Sequence, residues 1–146
     1  MATLSTANQA ALTSAINLLL KGTARETPIS GDVIQQIAPV VVGTLGLATT
    51  GGTFEIFRDN PVTALIALAD ACGGTLTTDQ HNQLMGAALL MYDGQAYETP
   101  FAEDVIARLA PVAAKTGFLT QGGFRENIKD RPVSTMLQWA LFLGKK

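Results

Sequence analysis

The chain has 146 residues, with 10 Lys+Arg against 12 Asp+Glu, a net charge of −2, 47% hydrophobic side chains and only 15% charged ones. So apolar and charge-poor a composition excludes a disordered chain, and the near-neutral balance offers no electrostatic footprint for nucleic acid. One cysteine, Cys72, excludes an intramolecular disulfide framework and a cysteine-based zinc cage.

The first predicted helix runs from Thr6, an N-cap with Gln9 three residues on, to Lys21, where Gly22 supplies a stop. Leu12, Ala15, Ile16 and Leu19 recur at helical spacing and make one apolar face. No basic residue precedes Lys21, so no secretory signal is expected. The second helix opens at Thr27-Pro28: Thr27 caps, and Pro28 takes the first helical position, where its missing N–H costs nothing. Val33, Ile34, Ile37 and Ala38 form its apolar face, and Pro39 is expected to kink or break it. Val33 to Phe54 carries no charged side chain. A membrane span needs roughly 20 predominantly apolar residues. This window instead holds Gln35, Gln36, Thr44, Thr49, Thr50, Thr53 and four glycines, which predicts a buried or contact-forming helix. The segment Thr53 to Arg58 reads as a short helix or loop, with Gly51-Gly52 as an inter-helix turn. Asp59-Asn60-Pro61 is again a cap followed by Pro, and the third main helix runs to about Cys72, ended by Gly73.

The same order then recurs. A helix from Thr78 to Asp93-Gly94 carries Leu84, Ala87, Ala88 and Met91 on one face. Thr99-Pro100 opens the next, with Val105, Ile106, Leu109 and Ala110 before Pro111. Phe124 to Lys129 is a second short helix or loop after Gly122-Gly123, and Asp130-Arg131-Pro132 starts a helix to about Leu143. Glu26 to Thr44 matches Glu98 to Thr116 at an offset of 72, sharing E-T-P-x3-D-V-I-x2-[IL]-A-P-V-x3-T. Over Leu4 to Thr44, 17 of 41 positions are identical, and beyond them a one-residue deletion aligns Gly51/Gly122, Pro61/Pro132 and Ala69/Ala140. The expected fold is therefore all-α: one domain over residues 1–146, built from repeats at 4–74 and 76–144. Units of about 70 residues are marginal for a core of their own, so the two are expected to pack about a pseudo-twofold axis.

Candidate chemistry is sparse. His81, the only histidine, sits in a predicted first turn, where its counterpart is Gln9. A general base needs a partner within about 3 Å, so a surface or interface histidine is the simpler reading. Cys72 lies at a helix C-terminus, which disfavours a thiolate and suits a small buried residue. Asp32 and Asp104 occupy one position in both repeats. They are either a carboxylate pair for a metal or acid–base work, or carboxylates serving the helix starts, as Glu26 and Glu98 do; two aspartates alone fall short of a metal site. The glycine pairs lack phosphate-loop spacing, and the mixed-sign run Arg125 to Arg131 reads as a solvated face. No catalytic, cofactor or metal residues are assigned, and an enzyme is not expected.

The repeats differ in charge. Residues 1–74 carry 5 acids and 3 bases; residues 75–146 carry 7 and 7. Asp79, Glu103, Arg108 and Lys115 in the second repeat are Ala7, Gly31, Gln36 and Gly43 in the first. Charges are depleted at interface cores because their desolvation is costly, so the first repeat is expected to supply the larger contact surface, against another copy or a different protein. The interface candidates are Gln35, Gln36, Val40, Gly43, Thr44, Leu47, Phe54, Phe57 and Trp139, with Tyr97 a further aromatic and Trp139 equally suited to the core. The functional expectation is a structural or assembly subunit of a larger particle, for which a virion component is the concrete form. The alternative is a helical module holding a small apolar ligand or peptide between the repeats. Partners are expected to be protein, without nucleic acid or membrane, and the location virion or cytoplasm.

Overall fold

The computed structural model describes residues 5–22, 29, 31–45, 49–72, 77, 78, 82 and 102–144. All the regular structure among them is helical: α1 (Thr6–Leu20), α2 (Gly31–Leu45), α3 (Thr50–Asp59), α4 (Pro61–Cys72), α5 (Glu103–Lys115), α6 (Gln121–Asp130) and α7 (Pro132–Gly144). No helix among these residues is long and apolar enough to cross a membrane. The predicted helix beginning at Thr78 lies, apart from Thr78 and Asn82, outside the described residues, as do the side chains of Leu12, Ala15, Ile16 and Leu19.

Local chemistry explains most boundaries. Lys21 and Gly22 form the turn that ends α1, and Gly22 has φ 75°, a left-handed conformation glycine adopts without a Cβ clash. Gly117, φ 86°, ends α5 in the same way, with Phe118 N–H donating back to the Ala113 carbonyl at 3.1 Å. Between α3 and α4, Asn60 serves both helices. Its N–H donates to Ile56 O at 2.7 Å, closing α3, and its carbonyl accepts from Ala64 N at 3.0 Å, opening α4. Arg131 does the same between α6 and α7, donating to Asn127 O at 2.7 Å and accepting from Thr135 N at 3.0 Å. Pro61 and Pro132 follow at first helical positions, where no N–H is needed.

Two local expectations are corrected, and a third, the kink or break at each proline, loses its second alternative. Pro39 and Pro111 do not break their helices: α2 and α5 continue six and four residues beyond them. The carbonyl each proline leaves without an N–H partner belongs to Gln35 or Ala107, both exposed, so water can satisfy it. Gly51-Gly52 and Gly122-Gly123 are not inter-helix turns but the first turns of α3 and α6. Their amides are capped by side chains: Gly52 N–H donates to Thr49 Oγ1 at 2.9 Å, and Gly123 N–H to Thr120 Oγ1 at 3.0 Å. A Cβ on Gly123 would lie 3.0 Å from Thr120 Oγ1, and one on Gly52 3.4 Å from Thr49 Oγ1, so glycine permits the close cap. Finally, α5 begins at Glu103 with Ala102 extended before it, three residues later than a Thr99-Pro100 start. The start expected at Thr27-Pro28 lies outside the described residues, and α2 is described from Gly31.

One core runs through α2 to α7. Helix α4 packs on α7, α1 lies against both α2 and α7, and α2 against α3 and α4; α3–α4, α5–α6 and α6–α7 are further packed pairs. Val33, Ile37, Val40 and Val41 of α2, Leu65, Ile66 and Leu68 of α4, Leu109 of α5, and Met136, Leu137 and Trp139 of α7 are fully buried. Trp139 is the centre of the aromatic part: Phe118 stacks on it at 6.2 Å, Phe124 meets it edge-on at 5.5 Å, and its Nε1–H donates to Thr116 Oγ1 at 3.2 Å.

Candidate interaction surface

Helix α2 divides sharply by side. Val33, Ile34, Ile37, Ala38, Val40 and Val41 are turned inward, while Gly31, Asp32, Gln35, Gln36, Pro39 and Gly43 are exposed. A period of three to four residues separates the two sets, so one uninterrupted run of uncharged residues contains both a core stripe and an outer face. Beyond Asp32 in the first turn, that outer face has amides, a proline and a glycine, and no charge. On α5, the aligned outer positions Arg108 and Lys115 are exposed charges. Thr44 is half-buried and its hydroxyl donates to Val40 O at 2.8 Å, so it is engaged with its own helix.

The predicted interface residues therefore separate. Gln35, Gln36 and Gly43 share the exposed face of α2, and Phe54 is half-buried on α3. Val40, Phe57 and Trp139 are at most 2% exposed and belong to the core, so they present no side chain to a partner. Their burial follows from helical phase: Val40 falls in the inward set with Ile37 and Val41, and Trp139 lies between Met136 and Leu143 on the buried side of α7. Leu47, Tyr97, His81, Glu26 and Glu98 lie outside the described residues.

Two surface hollows occur among the described residues. The first, about 270 Å³, is lined by Ile29, Gly31, Ile34, Phe54, Phe57 and Arg58, where the start of α2 meets α3. The second, about 280 Å³, is polar and lined by Glu126, Asn127, Asp130 and Arg131. Each lies within one repeat. Sequence reasoning missed the first because its walls come from two helices whose relative placement no periodicity reveals. The run Arg125 to Arg131 is α6 and the start of its connection, with Ile128 buried and Glu126, Lys129, Asp130 and Arg131 exposed. Arg125 forms an ion pair with Glu103 of α5, tying the two helices together across their outer edges.

Asp32 and Asp104 are each exposed in the first turn of a helix, where a carboxylate interacts favourably with the helix dipole. Among the described residues, no group of three or more His, Cys, Asp or Glu could hold a metal ion. Cys72 is buried, and burial pushes its thiol up to about 12, so it is protonated and unreactive near neutral pH. Compared with family models, curated proteins and solved structures, the chain matches none.

Proposed function

We propose that the chain is a non-enzymatic structural or assembly subunit of a larger protein particle, a virion component of tailed-phage capsid, decoration or connector type being its concrete form. The observation that carries this reading is the exposed, neutral outer face of α2 (Gln35, Gln36, Pro39 and Gly43), set against the exposed Arg108 and Lys115 at the aligned positions of α5. A face that must stay in water gains from charge, whereas a face that is to be covered avoids the desolvation of charged groups. Amides and a glycine also allow close approach with hydrogen bonding.

We propose further that the two repeats form a pseudo-dimer. Supporting this, the Thr49 and Thr120 caps, the Asn60 and Arg131 junctions and the ten-residue helices α3 and α6 correspond at a constant offset of 71. Helices α4 and α7, the aligned third helices, pack directly on each other, as a pair meeting at a twofold axis would.

The test is assembly in solution. Light scattering and native mass spectrometry of the purified protein are expected to show species larger than one chain. Gln36→Arg with Gly43→Lys installs the residues of the second repeat; a Cβ at Gly43 meets nothing within 4 Å, so the fold accommodates both. This variant is expected to disperse the assembly while keeping its Tm. A wild-type protein that stays a single chain at all concentrations and with its natural neighbours would overturn the reading.

A further inference from the structure

At the rim of the hollow between the start of α2 and α3, the aligned seam between α5 and α6 carries a charge pair instead. Alignment places Gly31 opposite Glu103 and Phe54 opposite Arg125. In the second repeat those two side chains form an ion pair across the α5–α6 seam. In the first, glycine and phenylalanine leave the α2–α3 seam open, and a Cβ built on Gly31 meets nothing within 4 Å. The opening thus comes from two substitutions at the rim, while the helix pair itself is common to both repeats.

Among the described residues, the walls are Ile29, Ile34, Phe54 and Phe57, all apolar, and Arg58 is the one charged side chain lining the space. Arg58 is 72% exposed, and its contact with Asp59 reaches only Nε, at 3.6 Å, longer than a hydrogen bond. The outer guanidinium nitrogens remain available to a planar anion. Among the described residues, no carboxylate lines the hollow. An apolar volume of about 270 Å³ with a single cation at its edge is complementary to a small molecule of opposite polarity at one end and none at the other.

We propose that this cleft binds a small amphiphile: a short alkyl chain against Ile34, Phe54 and Phe57, with a carboxylate head on Arg58. The site meets the α2 outer face at Gly31, but ligand binding there does not require assembly.

Calorimetric titration with octanoate, octanol and octyltrimethylammonium tests it on the intact chain. Octanoate is expected to bind saturably at one site per chain, about tenfold more tightly than octanol, the increment of one charge-assisted contact. Octyltrimethylammonium is expected to bind more weakly than either. Arg58→Gln is expected to bring octanoate down to the affinity of octanol and leave octanol unchanged. Gly31→Glu with Phe54→Arg, which transplants the bridge of the second repeat, is expected to abolish binding of both while circular dichroism and Tm stay those of a folded protein. If that double variant fails to fold, the Arg58→Gln comparison decides. Absence of saturable octanoate binding, equal affinity for the ammonium compound, or octanoate binding unmoved by Arg58→Gln would each overturn the proposal.

Discussion

Two buried threonines show how much the partner of a hydroxyl matters. Thr53 is fully buried in α3, and its Oγ1 has no hydrogen-bond partner. Thr116 is 7% exposed at the end of α5; its Oγ1 donates to Ala113 O at 2.9 Å and accepts from Trp139 Nε1. Valine replaces the hydroxyl by a methyl group of similar size in either case. Thr53→Val removes an unmet desolvation cost and is expected to raise stability by about 1 kcal/mol. Thr116→Val strands the buried indole N–H and is expected to lower it by about 1–3 kcal/mol. Urea denaturation of the two variants checks the opposed signs. Neither role was legible in the sequence, because a threonine in an apolar run reads the same whether or not a donor faces it. The same limit put Val40 among the surface candidates: composition marked the run 33–54 as uncharged, and only helical phase against a neighbour separates its two sides.

At the scale of the element, the helices were largely legible, since Pro61, Pro132 and Gly22 are chemical signals that act within a few residues. Pro39 and Pro111 sit inside continuous helices for a physical reason. A helix-interior proline costs about 3 kcal/mol when the orphaned carbonyl and the ring clash go uncompensated. Here the orphaned carbonyls belong to exposed residues, and the inward faces of α2 and α5 hold both helices against the core. The glycine pairs misled because a double glycine signals a turn unless the preceding threonine is recognised as a cap. Their presence in the first turn has a consequence for α6. Alanine at position 123 gains helix propensity, but its Cβ would crowd Thr120 Oγ1 and disturb the cap. Gly123→Ala alone is therefore expected not to stabilise the protein. Thr120→Ala should cost about 1 kcal/mol, and in that background Gly123→Ala should become stabilising by about 0.5–1 kcal/mol. A double-mutant cycle measured by thermal melts reads this reversal directly.

Across the whole molecule, the decisive feature is that helices from α2 to α7 share one core. Helix α7 is packed by α1 and α4 as well as by α6, while Trp139 itself sits against Thr116, Phe118 and Phe124. Two units of about 70 residues that each closed their own core would unfold separately, and their small size would leave each marginal. A shared α4–α7 seam instead makes the loss of either partner a loss for both. Leu68 of α4 is fully buried and aligns with Trp139 of α7. Leu68→Ala opens a cavity in the first repeat and is expected to cost about 2–5 kcal/mol, a large part of the 5–15 kcal/mol typical of a domain. Trp139, the only tryptophan, reports the second repeat by fluorescence, while far-ultraviolet circular dichroism reports helix throughout the chain. With one core, both signals should shift to lower urea together and by the same free energy. A tryptophan transition left in place while part of the dichroism moved would mean that the repeats fold as separate units. Separate folding would leave the proposed pseudo-dimer without its energetic basis.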